Sequence, residues 1–264
     1  YTLLGDDINE LKNIFEDKSK INEKLKTAKK PLFIIGESAL ELKNAQYILE
    51  ETKNFLIKNN FINDTWNALN ILIQNASTVG AIDLKFYNID DKNNFIFFDK
   101  IKNQDFKLLY LVGSDNLEIK KNNEFIIYQG SHGDRNAEIA DVILPSPTYT
   151  EQDGLFTNLE GRIQECRKAS YPANEAMEDW KIFNLINKNL NKLNLFDNFL
   201  SIRELALKEM PMFSKIDSLP LKNKVNTNQT LSASTNEKIE IKPLDYYYSN
   251  SIARASKTMS DCRN

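Results

Sequence analysis

The loop that follows the predicted strand 125–130 holds the densest set of reactive side chains in the sequence. Residues 130–136 read GSHGDRN and contain the single histidine of the chain. Ser131, His132 and Asp134 are the residue types of a nucleophile, a general base and an orienting acid. Because three such residues in one turn rarely reach the geometry of a triad, we expect a structural loop in which Asp134 or Asn136 caps a short turn.

The segment 157–162 is a second place where polar side chains concentrate. It reads TNLEGR and brings a hydroxyl, a carboxamide, an acid and a guanidinium together within six residues. Its composition is typical of a hairpin-like turn. We expect Arg162 to contact Glu160 or Glu165 there.

Two glycines end predicted strands and raise the question of phosphate binding. Gly36 and Gly113 each follow a short apolar run. Neither position reads as a G-x-G-x-x-G fingerprint or as a P-loop, which would place backbone N–H groups around a phosphate. Ordinary turns explain both glycines.

Metal binding has few candidate ligands in this sequence. Cys166 and Cys262 lie far apart without a C-x-x-C partner, and His132 is the one histidine. Zinc and iron–sulfur sites need about four such ligands. The residues therefore predict no catalytic, no cofactor-binding and no metal-ligating side chain.

Composition narrows the function classes further. The 264 residues include 34 Lys and Arg against 37 Asp and Glu, so the formal net charge is −3, and the signs are mixed along the chain. This balance predicts no nucleic-acid partner. No apolar run approaches the 18 or so residues that cross a bilayer, which predicts no direct membrane insertion. Since the chain opens with Tyr1 and not Met, we expect part of a longer polypeptide.

The hydrophobic pattern predicts the elements that position these loops. Short unbroken apolar runs predict strands at 31–36, 108–113, 125–130 and 141–145. Helical spacing predicts helices over 8–25 with Asp6 or Asp7 as cap, over 42–56 behind a Ser38/Glu41 capping box, over 66–76, and around 180–190. Strands separated by helical stretches predict an α/β fold with a doubly wound, mostly parallel sheet, followed by a small irregular and helical region and an extended tail.

Composition shifts suggest where the chain divides. We predict an N-terminal helical segment over 1–29, the α/β domain over 30–147, a Gly-, Thr- and Asn-rich segment plus a closing helix over 148–207, and a polar linker with a docking tail over 208–264. The linker, 223–238, has almost no large apolar residues and cannot support burial. The tail regains apolar anchors beyond it, namely Tyr246, Tyr247, Tyr248, Ile252 and Met259.

Three ordered motifs carry a family resemblance. They are ADVILP at 140–145, YTEQDG at 149–154 and NLEGRIQ at 158–164. Together they resemble the molybdopterin-oxidoreductase signature, in the form carried by the large iron–sulfur subunit of respiratory complex I, the NADH-quinone oxidoreductase. The GSHGD stretch at 130–134 and the ending SIARASKTMSDC at 251–262 resemble the complex I branch in particular.

The resemblance implies a specific role. In that family the Cys-rich region that holds 2Fe-2S and 4Fe-4S clusters precedes the part matched here, so the resemblance implies no cofactor within this chain. It implies a molybdopterin-oxidoreductase fold used as a scaffold, other peripheral-arm subunits as partners, and a place peripheral to the inner membrane on the bacterial cytoplasmic or mitochondrial matrix side. Two alternatives stay open: a fragment of a molybdenum or tungsten bis-pterin oxidoreductase of the formate dehydrogenase type that uses 157–162 and the 130–136 loop, and a separate non-catalytic assembly or binding module.

Overall fold

A computed structural model describes most of the chain. The described residues are 1–76, 78–86, 100–103, 105–114, 117, 119–220, 225, 238–239 and 245–263. The chain divides into two compact units, which are described separately below. Unit 1 comprises Tyr1–Val79, Thr157–Arg162 and Leu219–Lys242, and unit 2 comprises Gly80–Phe156, Ile163–Ser218 and Pro243–Asn264. The domain limits given by the sequence stay a prediction.

Unit 1 begins with two short helices in place of the single helix predicted over 8–25. The Asp7 carboxylate caps the first by accepting from the N–H groups of Asn9 and Glu10, as expected. The left-handed backbone of Asp17, with a φ of 59°, separates the two helices. The elements are α1 (Ile8–Phe15), α2 (Ile21–Thr27), β1 (Phe33–Gly36), α3 (Ala45–Lys58), β2 (Leu69–Leu72) and α4 (Thr78–Asp83), the last of which runs on into unit 2.

The prediction of a helix over 66–76 was wrong. Residues Leu69–Leu72 form β2, which pairs in parallel with β1 from Phe33↔Leu69 to Gly36↔Leu72. The local apolar spacing fits a helix, but pairing with β1 supplies the backbone hydrogen bonds of this segment and outweighs its weak local preference.

The Ser38/Glu41 capping box was also wrong. Glu37–Glu41 forms a 3-10 helix directly after β1, so both residues belong to that turn. Asn44 precedes α3 and makes no side-chain capping hydrogen bond. The core of unit 1 nevertheless includes Ile48, Phe55 and Leu56 of the predicted helix 42–56, and Tyr47 is buried beside them.

Unit 2 is built on three parallel strands at the predicted positions. These are β3 (Leu108–Val112), β4 (Phe125–Gly130) and β5 (Val142–Pro145), in the order β3-β4-β5. Their parallel pairing confirms the predicted α/β class. A buried cluster lies on this sheet and consists of Leu109, Leu111, Ile126, Tyr128 and Ala137.

The remaining elements of unit 2 close the sheet and form the tail. The predicted helix around 180–190 is present as α6. The elements are α5 (Arg135–Glu138), β6 (Gly154–Thr157), which pairs with β7 (Ile163–Cys166), α6 (Asp179–Asn191), α7 (Phe199–Glu209), α8 (Ser251–Ala255) and α9 (Lys257–Arg263). The predicted linker 223–238 lies almost wholly outside the described residues.

Candidate functional site

The 130–136 loop leaves the carboxyl end of β4, the central strand of its sheet. Ligands of parallel sheets bind at this end, so the loop is the first place to look for a site. The Ser146 N–H donates to the Gly130 carbonyl at 3.1 Å, which ties the loop to the end of β5. A Cβ at Gly130 would overlap the Tyr128 hydroxyl, so the close approach that this glycine permits is filled by the chain itself.

The carboxylate of Asp134 is the most strongly engaged group of the loop. Its Oδ2 accepts from Arg254 Nε at 2.8 Å and lies 2.5 Å from Arg254 Nη2. Burial alone would raise the pKa of Asp134, but the Arg254 guanidinium and the backbone N–H of Arg135 hold that pKa below its ordinary value. Asp134 stands at the N-cap position of α5 yet makes no side-chain capping bond, so the expected cap was wrong.

Ser131 and His132 lie next to each other on the surface. The Ser131 hydroxyl and His132 Nδ1 are 2.8 Å apart, and the Tyr128 hydroxyl donates to the His132 carbonyl at 3.2 Å. The orienting acid of a triad must face the histidine. Asp134 faces Arg254 instead, so it does not complete a triad with Ser131 and His132.

Asn136 joins the loop to the end of β3. Its side chain is 1% exposed, and its Nδ2 donates to the Ser114 carbonyl. Its Oδ1 is buried and has no hydrogen-bond partner among the described residues. The residue therefore holds the two loop ends together and does not cap α5 through its side chain.

A buried bridge that the sequence analysis missed lies just before the loop. Gln129 is 0% exposed; it accepts from the Tyr110 hydroxyl at 2.6 Å and donates to Asp179 Oδ1 at 2.6 Å. Burial and the nearby Asp179 raise the pKa of Tyr110, so the phenol stays a donor. A polar residue in an otherwise apolar strand was the one sequence signal for this bridge.

The 157–162 segment is a turn, as its composition predicted. Asn158 Oδ1 accepts from the N–H groups of Glu160 and Arg162 at 2.9 and 3.0 Å. Arg162 Nε lies 3.5 Å from the Glu160 carboxylate, the expected ion pair. Gly161 has a φ of 77°, which the left-handed turn requires.

The other candidate residues are two glycines and two cysteines. Gly36 has an extended backbone, and Gly113 has a φ of 57° in the turn after β3. Cys166 is half-buried and Cys262 is exposed. Within the described ranges, no three His, Cys, Asp or Glu side chains cluster as metal ligands would. Over the same ranges, no helix has the length and apolarity that crossing a bilayer requires.

The sheet, its loops and the motif order agree with a comparison against family models. The molybdopterin oxidoreductase model matches residues 1–189. The chain belongs to the molybdopterin oxidoreductase family. The matched residues include β4, β5 and the 157–162 turn.

The individual relatives that the chain resembles carry more specific names than the family does. The chain is 37% identical to a NADH-ubiquinone oxidoreductase 75 kDa subunit from Reclinomonas americana, over 98% of this chain and 38% of the relative. It is 36% identical to the mitochondrial 78 kDa subunit of the corresponding oxidoreductase from Candida albicans, over 99% of this chain and 36% of the relative. It is also 36% identical to a NADH-quinone oxidoreductase subunit from Rickettsia bellii, over 98% and 37%. This molybdopterin oxidoreductase family member thus spans less than two fifths of the length of these relatives.

Proposed function

We propose that this chain is the C-terminal scaffold part of a complex I large iron–sulfur subunit. It would support electron transfer from NADH to quinone by positioning the peripheral arm, with no catalytic group of its own. The observation that carries the proposal is similarity across 98% of the chain to proteins named as subunits of NADH-ubiquinone or NADH-quinone oxidoreductase. Under this proposal the chain lies peripheral to the inner membrane, on the bacterial cytoplasmic or mitochondrial matrix side, and the 2Fe-2S and 4Fe-4S clusters belong to another part of the subunit.

Under this proposal the chain has the molybdopterin oxidoreductase fold but binds no pterin. The family name implies such a cofactor, whose anionic groups would want cations and free backbone donors. The 130–136 loop meets that need poorly, because Arg135 is its one Arg or Lys. Its Asp134 carboxylate is an anion paired with Arg254, and the Tyr128 hydroxyl fills the space beside Gly130.

The proposal also assigns the tail 245–263 to contacts with neighbouring peripheral-arm subunits. Tyr246 is 80% exposed and Tyr247 is 42% exposed, while Tyr248 is used within the tail. The Tyr248 hydroxyl donates to Ser260 at 2.9 Å, and the Arg263 guanidinium lies 4.6 Å from the Tyr248 ring centre. Exposed tyrosines supply large contact area at low entropic cost, which suits a docking surface.

An elemental count tests the scaffold assignment against the enzyme alternative. Iron, molybdenum and tungsten would be measured on the endogenous full-length polypeptide, purified gently with an antibody to this region. Iron without molybdenum or tungsten is the expected result. Stoichiometric molybdenum or tungsten would contradict the proposal and favour a bis-pterin oxidoreductase, and a metal-free polypeptide of about this size would favour a separate module.

Substitution of the exposed tyrosines tests the docking role. The double variant Tyr246→Ala/Tyr247→Ala should lower incorporation into the assembled complex several-fold on native gels, because it removes the exposed aromatic area that the tail offers to a neighbouring subunit. Tyr171→Ala is the matched control, since Tyr171 is 79% exposed elsewhere in unit 2. Equal incorporation of the double variant and the control would contradict the docking role.

A further inference from the structure

Arg254 connects the tail 245–263 to the rest of unit 2. This guanidinium reaches Asp134 in the 130–136 loop, 120 residues away in sequence, and also donates to the Tyr248 carbonyl at 3.1 Å. The two side chains of the ion pair are 19% and 11% exposed. A pair removed this far from water is screened less than a surface pair.

The tail has its own internal contacts but cannot hold its shape alone. Asn250 caps α8 by accepting from the Ala253 N–H at 2.8 Å, and Arg263 Nε donates to Asp245 at 2.8 Å. However, α8 has 5 residues and α9 has 7. Helices shorter than about 12 residues are marginal in water without tertiary packing. The tail therefore needs an anchor on the body of unit 2.

We propose that the Asp134–Arg254 ion pair is a latch that preorganises the tail for docking. With the latch closed, α8 and Tyr248 are fixed to unit 2, and Tyr246 and Tyr247 are held outward in one arrangement. With the latch broken, the tail would become ordered only on assembly, and the entropy lost in ordering it would weaken docking. The latch rests on the proposed docking role and deepens it: an ion pair within unit 2 would control how readily the tail docks on a neighbouring subunit.

The latch is tested first on the 264-residue chain. In a Cys166→Ser background, Cys262 is the one remaining cysteine and carries a nitroxide label on α9. Arg254→Gln and Asp134→Asn should each increase the mobile fraction of the spectrum and raise hydrogen exchange of the 251–255 amides at least tenfold. The double variant should be no more mobile than Arg254→Gln alone, because that single variant already removes the ion pair with Asp134.

A matched control removes a comparable ion pair elsewhere in unit 2. Arg203 Nη1 lies 2.6 Å from Glu165, with the two side chains 23% and 28% exposed. Arg203→Gln should leave the Cys262 label and the 251–255 amides unchanged. A tail that stays immobile in Arg254→Gln and Asp134→Asn would overturn the latch, as would mobility increases that add in the double variant.

A second readout separates the latch from the docking role. Arg254→Gln in the full-length subunit should lower incorporation into the complex several-fold, although both exposed tyrosines are retained. A mobile tail with normal incorporation, when Tyr246→Ala/Tyr247→Ala lowers incorporation, would overturn preorganisation and leave the docking role intact. If neither variant lowers incorporation, the docking role fails, and preorganisation for docking fails with it.

Discussion

Replacement of Gln129 by leucine tests whether one buried carboxamide holds two strands and a helix together. The side chain of Gln129 is 0% exposed, and it links Tyr110 on β3 to Asp179 in the first turn of α6. Leucine is close in size but offers neither a donor nor an acceptor. The Tyr110 hydroxyl would lose its acceptor and the Asp179 carboxylate would lose the Gln129 donor.

The size of the effect follows from the two bonds. A neutral hydrogen bond contributes about 1 kcal/mol net, and one to a charged group about 1.5–3 kcal/mol. The apolar area of a buried leucine recovers part of that loss. The free energy of unfolding should therefore fall by about 2 kcal/mol in Gln129→Leu.

Tryptophan fluorescence can follow this change in unit 2 alone. The chain has 2 tryptophans, so in a Trp66→Phe background Trp180, next to Asp179, is the sole emitter. Guanidinium titration then gives the unfolding midpoint of the part that contains Gln129. Gln164→Leu, at an exposed position of β7, is the control and should change stability by about 0.5 kcal/mol or less. Equal midpoints for the two leucine variants would refute the role given to the bridge.

Three further substitutions have expected outcomes. Burial acts to raise the pKa of Glu178, but hydrogen bonds from the Trp180 indole and the Lys168 ammonium outweigh it and hold that pKa below its ordinary value. The stabilisation that the Glu178 carboxylate contributes is therefore complete above the unfolded-state pKa of about 4.3 and is lost as pH falls through the folded-state pKa. Glu178→Gln should accordingly lower the denaturation midpoint at pH 7 by more than at pH 3. Gly161→Ala, in unit 1, forces a side chain into a φ of 77° and should cost about 1–2 kcal/mol, measured by guanidinium titration of Trp66 fluorescence in a Trp180→Phe background; an unchanged midpoint would contradict the strain. Leu56→Ala opens a cavity at a side chain that is 0% exposed and should cost about 2–5 kcal/mol, which Trp66 fluorescence in a Trp180→Phe background would measure.

Local signals predicted most of the elements near the candidate site. Short apolar runs ending in glycine or proline indicated β3, β4 and β5, because each run is too short for a helix and is bounded by turn residues. Asp7 indicated the start of α1 because its carboxylate can reach N–H groups two and three residues ahead. The turn 157–162 followed from its own composition. Each of these features depends on residues within one turn or one strand.

Two predictions were wrong because the structure of the residues depends on a partner that is distant in sequence. Residues Leu69–Leu72 have helical apolar spacing but become a strand because β1 offers a parallel partner. Asp134 has the ideal chemistry for a helix cap, yet its carboxylate is drawn to Arg254 at the other end of the chain. In both cases an interaction across the fold outweighs a local preference of about 1 kcal/mol or less.

The sequence by itself determined the α/β class, the positions of the parallel strands of unit 2 and the family signature, because periodicity and ordered motifs are local properties of the chain. Only the tertiary structure decided how the chemistry-bearing loop is used. It pairs Asp134 with Arg254, fills the space beside Gly130 with the Tyr128 hydroxyl, and buries Gln129 as a bridge. The physical reason is that a charge or polar group taken out of water needs a partner, and folding alone determines which distant side chain supplies it.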